Sequence, residues 1–257
     1  MKRTLPLLLT TATLAAALAA CSPVGRDGSG NAAPGTAGTG APVVKSASTA
    51  ASAGATVAAV PVLAAVPAFE GSIASGRDAV RSRVRYSWRR GCPVGAVELR
   101  LLRADYWGFD GRVHKGELIV HRTHARRILG VLKRLFLARY PIQRLRPVDA
   151  YRADDDRSMA ANNTSGFNCR RVSGSSSWSE HAFGRAIDLN PLRNPYVTRG
   201  GRVSPPAGRP YANRARRAAG MIHAGDGVVR AFAAAGWRWG GSWSGSRDYQ
   251  HFSSTGR

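Results

Sequence analysis

The sequence predicts an α+β domain over residues 76–257, an antiparallel sheet with helices packed on it. Three features carry this prediction. Two short apolar, strand-like runs, "VELRLL" at 97–102 and "ELIVHR" at 117–122, flank the turn-rich "GFDGRVHKG" and read as a hairpin or as neighbouring strands. One segment, 124–139, repeats Ile128, Val131, Leu132, Leu135 and Phe136 at helical spacing and puts Arg126, Arg127, Lys133 and Arg134 on its other faces. Every Trp, Tyr and His of the chain lies beyond residue 76, so about 180 residues hold the side chains of one substantial core.

In chain order, residues 1–20 have two basic residues, then an apolar stretch rich in Ala and Thr that is too short for a confident membrane span, then small residues. That is the layout of an export signal. Residues 21–75 are nearly all small or Pro, with no aromatic before Phe69, and are expected to form a flexible tether because they have too little bulky surface to offset the entropy of ordering. Beyond the hairpin, Thr123 is placed to cap the helix at 124–139, and Pro141 ends it. "PIQRLRPVDAY" reads as a further strand. The polar stretch 152–177 reads as a long loop, of a length usually kept for function. A second helix is expected within 212–235, interrupted near Gly225 and Gly227.

The 38 Lys and Arg against 15 Asp and Glu give a formal net charge of +23, a field that favours anionic partners such as cell-wall polyanions. Export argues against nucleic acid. Arginine is spread over every segment, so charge alone identifies no partner. On the exported side of a membrane the pair Cys92 and Cys169 favours a disulfide over two buried free thiols.

The acid-poor chain holds an aspartate, Asp188, inside the apolar run "AIDL", seven residues after His181. Gly184, the β-branched Ile187 and the following "NP" argue for loop, strand and turn rather than helix. A carboxylate on an inward-looking strand needs a cation or several donors; one of the many arginines would serve, and so would a metal. His251 stands in "DYQHF", three residues after Asp248. Two histidines and a carboxylate with a fourth position left open are a ligand set for catalytic zinc, and a second carboxylate nearby supplies the base. The spacings alone are weak motifs.

The residues "SEHAFGRAID", followed distantly by "DYQHF", resemble the signatures of the zinc D-alanyl-D-alanine carboxypeptidase family, within the group that includes lysostaphin-type peptidases and the hedgehog fold. "SWRRGCPV", "YPIQRLRPVDAY", "DDDRSMAANNTSGFNCR" and "GWRWGG" extend the likeness over about residues 85–257. The resemblance implies a fold of the hedgehog/D-Ala-D-Ala peptidase type and Zn2+ held by His181, Asp188 and His251. It makes Asp248 the general acid/base, sets Ser179 beside the substrate and gives Arg170 the oxyanion. The implied reaction is hydrolysis of a peptide bond in peptidoglycan stem peptides. The bond is left open between the terminal D-Ala of a carboxypeptidase and the L-Ala-D-Glu link of an endopeptidase; a wall-binding module with structural zinc is the alternative from another class. "LAAC" resembles the lipobox of bacterial lipoproteins and makes Cys21 the lipid-bearing residue. The expected protein is thus an extracytoplasmic, membrane-anchored lipoprotein of the cell envelope, acting as a monomer. His114, His121, His124 and His223 are read as structural, and core packing is expected for at least two of Trp237, Trp239 and Trp243.

Overall fold

The computed structural model describes residues 67–257 apart from Ser75. The export signal, Cys21 and the tether up to residue 66 lie outside the described residues. The tether's last residues are not tether: β1 (Gly71–Ala74) pairs antiparallel with β2 (Leu99–Trp107), so the folded part begins ahead of residue 76. A short helix, α1 (Arg77–Arg81), follows it.

β2 pairs in turn with β3 (Val113–His121), from Leu99 opposite His121 to Trp107 opposite Val113. This hairpin is longer than its two apolar runs. The turn occupies only 108–112, closed by Gly108 N–H donating to the Arg112 carbonyl (2.7 Å), with Gly111 at φ +69°. "VHKG", expected as turn, is strand, because its polar side chains find partners across the pair: His114 stacks on Tyr106, and Lys115 reaches Asp105.

Side chains alternate across a strand, so the hairpin has two buried faces. Leu102, Ala104, Leu118 and Val120 join the main core with α2 (Ala125–Leu137), whose Ile128, Val131, Leu132 and Leu135 face them. Leu99, Leu101 and Ile119 look the other way, onto Val80 and Val84 after β1, Phe167 and Cys169. The Cys92–Cys169 disulfide closes beside this second cluster. His124, not Thr123, occupies the cap position of α2 and makes no side-chain cap bond.

After α2 the expected strand shrinks to β4 (Arg144–Leu145), followed by a 3-10 turn, Val148–Tyr151. Pro147 begins the turn, and both carboxylate oxygens of Asp149 accept main-chain N–H bonds from Tyr86 and Ser87 (2.9 Å each). The expected loop 152–177 contains a helix, α3 (Asp155–Ala160), and β5 (Asn163–Thr164), which runs parallel to β4. Asp154 caps α3 by accepting from Arg157 N–H, and Asp155 and Asp156 lie in its positively polarised first turn.

The rest of the chain is short pieces: β6 (Ala186–Asp188), β7 (Tyr196–Val197), β8 (Val203–Ser204), α4 (Arg209–Ala212), α5 (Gly227–Ala233), β9 (Arg238–Trp239), β10 (Arg247–Asp248) and β11 (His251–Ser253). They form two three-stranded antiparallel sheets, ordered β10-β7-β8 and β6-β11-β9. The expected helix at 212–235 is only α5; most of what precedes it is irregular chain stapled by Arg214, whose guanidinium donates to the main-chain oxygens of Arg193, Tyr211 and Ile222 and to Asn194 Oδ1. The architecture is α+β, with helices on antiparallel sheets. Among the described residues no helix is long and apolar enough to cross a membrane.

Candidate metal centre

Register builds the site. In the β6–β11 pair, Ile187 lies opposite Phe252 and Asp188 opposite His251. One pair therefore faces the core and the next faces away from it. Phe252 stacks on Phe232 of α5 with centroids 3.9 Å apart, which pins β11 with His251 on the far face. On its other edge Asp188 exchanges main-chain hydrogen bonds with Ser165 (3.0 and 3.1 Å).

His181 arrives from the 3-10 turn Glu180–Phe183. Ser179 caps that turn, its hydroxyl oxygen accepting from His181 N–H at 3.3 Å. Gly184 ends it at φ +65°, where a Cβ would lie 2.6 Å from His121 N. Only a glycine lets the turn close this tightly against β3.

The three side chains converge. His181 Nε2 is 3.2 Å from Asp188 Oδ2, His251 Nδ1 is 3.1 Å from Asp188 Oδ1, and the two ring nitrogens are 3.3 Å apart. All three residues are buried, and their ligand atoms lie within 4.8 Å of one another. Each outer ring nitrogen is bonded to a main-chain oxygen: His181 Nδ1 to Gly166 at 2.6 Å, His251 Nε2 to Arg257 at 2.9 Å. A neutral imidazole that donates outward presents a lone pair inward. With both imidazoles neutral and donating outward, two lone pairs and a carboxylate face one another as three acceptors, an arrangement that calls for a cation. The donor set fits zinc.

Electrostatics agree with the geometry. Burial acts to raise the Asp188 carboxyl, but the adjoining His181 and His251 outweigh it and hold the group well below the usual carboxylate range. Burial acts to lower His251, yet the hydrogen bond and charge of Asp188 push it up to about 9. This site holds its anion and attracts positive charge.

Asp248 stands outside the ligand cluster. It lies on β10 opposite Tyr196, and a Cβ on Gly240 would come within 2.8 Å of its main-chain oxygen, so the glycine permits the approach. Its Oδ1 is shut off from solvent without a hydrogen-bond partner. Burial, and after it the charge of Asp188, push its carboxyl up to about 7. A carboxyl poised there can take and return a proton near neutral pH.

The other predicted residues take varied places. Arg170 pairs through its main chain with Ser179, while its guanidinium is held by Asp155 of α3 (2.8 Å) and its Nε has no partner. His114 contacts Asp110, His121 contacts Thr123, His124 meets the edge of Trp237, and His223 contacts Arg216 and Asp226; none joins the cluster. Trp237 and Trp239 are core, whereas Trp243 packs beside His251 with centroids 5.5 Å apart. Gly166 and Arg257 escaped the sequence reading because they act through main-chain oxygens, which leave no side-chain signal. Gln250, two residues after Asp248 in "DYQHF", is buried with Nε2 directed at Met159 Sδ.

No curated protein and no solved structure matches the chain. Residues 173–254, which include His181, Asp188, Asp248 and His251 but not Arg170, match the family model described as D-alanyl-D-alanine carboxypeptidase. Through this segment, about a third of its length, the chain is similar to the D-alanyl-D-alanine carboxypeptidase family.

Proposed function

We propose that the domain is a zinc peptidase that hydrolyses a peptide bond in peptidoglycan stem peptides in the manner of a D-Ala-D-Ala carboxypeptidase. The observation that carries the reading is the pairing of two unlike carboxyl groups at one site. Asp188 is kept ionised among two imidazoles, and Asp248 is kept near neutrality with an unpartnered Oδ1. Environments that push two carboxyl groups apart mark an acid/base assignment.

His181 Nε2, His251 Nδ1 and an Asp188 oxygen would hold the ion. Zinc bound there would supply electrophilic polarisation of the scissile carbonyl and acidify the attacking water. The Asp248 carboxyl would serve as the base for the attacking water and then as the acid for the leaving amine, so one carboxyl would serve both halves of the reaction. Arg170 is assigned to the oxyanion; Asp155 holds its Nη2 at 2.8 Å, and its Nε has no protein partner. Ser179, whose hydroxyl caps the His181 turn, borders the substrate.

An extracytoplasmic setting is supported by the Cys92–Cys169 disulfide. Anchoring through a lipid on Cys21 would present the domain to the wall, and the +23 charge would favour its polyanions. Incubating the zinc-loaded domain with defined muropeptides and weighing the products tests the proposal. Release of D-Ala supports the carboxypeptidase, and fragments with a free L-Ala carboxyl support the L-Ala-D-Glu endopeptidase. Inertness with zinc bound leaves the wall-binding module.

A further inference from the structure

The two candidate histidine ligands are oriented by different kinds of structure. The outer nitrogen of His181 is bonded to Gly166, which lies deep in the fold: a Cβ there would be 2.4 Å from the Ile119 main-chain oxygen. The outer nitrogen of His251 is bonded to Arg257, which the chain reaches only by curling back after β11.

That curl is tied at several points. Ser254 N–H donates to the Arg185 main-chain oxygen (3.1 Å), and Thr255 Oγ1 donates to Glu180 Oε2 (2.7 Å), next in sequence to His181. Trp243 Nε1 donates to the Gly256 oxygen at 2.8 Å while its ring packs beside His251. The Ser253 hydroxyl accepts from Gly256 N–H at 3.0 Å and donates to the Arg257 oxygen at 2.7 Å, the same oxygen that meets His251. Gly256 makes the bend at φ +80°. Glu180 is itself gripped by Arg185 through two nitrogens, so the tie at Thr255 rests on a fixed carboxylate.

We infer that residues 255–257 form a positioning strap whose main-chain oxygen fixes the ring orientation and tautomer of His251, so that Nδ1 offers its lone pair to the metal. The inference rests on the reading of His181, Asp188 and His251 as a metal centre. Without the strap, nothing described opposes the other tautomer, in which Nδ1 carries the proton and donates it to Asp188. That tautomer closes the third ligand position. Trp243 and Ser253 are then positioning residues acting through the strap, and Glu180 links the strap to the turn that carries His181.

The test compares the whole chain with one shortened to end at Ser254 and with the variants Ser253→Ala and Trp243→Phe. Zinc affinity is measured by competition with a chromophoric chelator, and the visible spectrum of the cobalt(II) form reports the ligand geometry. Thermal unfolding of the metal-free proteins reports folding. Loss of a hydrogen-bond partner behind a metal-bound histidine weakens binding by about 10–100-fold. The shortened chain is expected to lose affinity in that range and to show an altered cobalt spectrum. The two side-chain variants, which loosen the strap without removing it, should lose less. If the shortened chain is folded and binds zinc within about twofold of the whole chain with an unchanged spectrum, the inference is overturned. Should it fail to fold, the side-chain variants decide, and unchanged affinity and spectrum in both overturn it. If the whole chain itself binds no zinc, the metal-centre reading fails, a result distinct from equal binding by both chains.

Discussion

Asp188 and His251 face each other across the antiparallel β6–β11 pair, and a carboxylate oxygen meets Nδ1 at 3.1 Å. A one-residue slip of β11 against β6 would turn His251 toward the core and Phe252 out of it, and so part His251 from Asp188. Packing of Phe252 on Phe232 opposes the slip, so the apolar core on one face holds the His/Asp/His cluster on the other.

Asp248→Asn should abolish proton transfer while sparing the ion, because Asp248 lies outside the ligand cluster. Hydrolysis of a muropeptide is expected to fall by about 10²–10⁴-fold with zinc content unchanged. Retained turnover in a fully zinc-loaded variant would remove Asp248 from its assigned role.

The metal-free domain should lose stability as pH rises. Asp248, raised to about 7, binds a proton in the folded state that the unfolded chain has already released, so its contribution fades between its ordinary carboxyl range and pH 7. His251, raised to about 9, stabilises most below its ordinary value of 6.5 and loses that contribution as pH climbs through 9. Asp188, held low, acts in the opposite sense, and only in acid does its contribution vanish. Zinc competes with the proton on His251, so the gain in melting temperature on adding zinc should grow across the same interval. Melting curves with zinc and with chelator check both trends; a chelated protein that grows more stable from pH 5 to 9 contradicts them.

Arg170→Ala should lower kcat by about 10²–10³-fold, the usual loss for one oxyanion donor, and leave zinc affinity as it was. Lysine at the same position should restore only part, since it lacks the fork that lets Asp155 hold one edge while Nε remains free. Steady-state kinetics beside metal analysis separate this from a folding defect; a parallel fall in zinc content would make Arg170 structural.

Replacing Cys92 and Cys169 together by Ser removes a link spanning 77 positions. Chain entropy puts the loss at about 4 kcal/mol. For a domain of this size that corresponds to about 10 °C in melting temperature. Denaturant melts of the oxidised and substituted domains measure it. Equal midpoints would show that Leu99, Leu101, Ile119 and Phe167 hold that cluster without the bridge.

Features written in side-chain type and local period were legible before folding was considered. The apolar stripe of α2 marked that helix to within two residues at either end, and the hairpin was visible in its two runs. His181, Asp188 and His251 were visible because ionisable groups are conspicuous in an apolar or glycine-rich setting, and the structure brings all three together. Pieces two or three residues long, such as β6, β9 and β11, have too little length for a period to emerge. The capping of α3 by Asp154 inside an apparent loop also passed unseen, since six residues carry little periodicity. Which nitrogen of each histidine looks inward is set by the folded chain. That choice belongs to the main-chain oxygens of Gly166 and Arg257, which every residue type carries alike and which only folding brings to a particular ring.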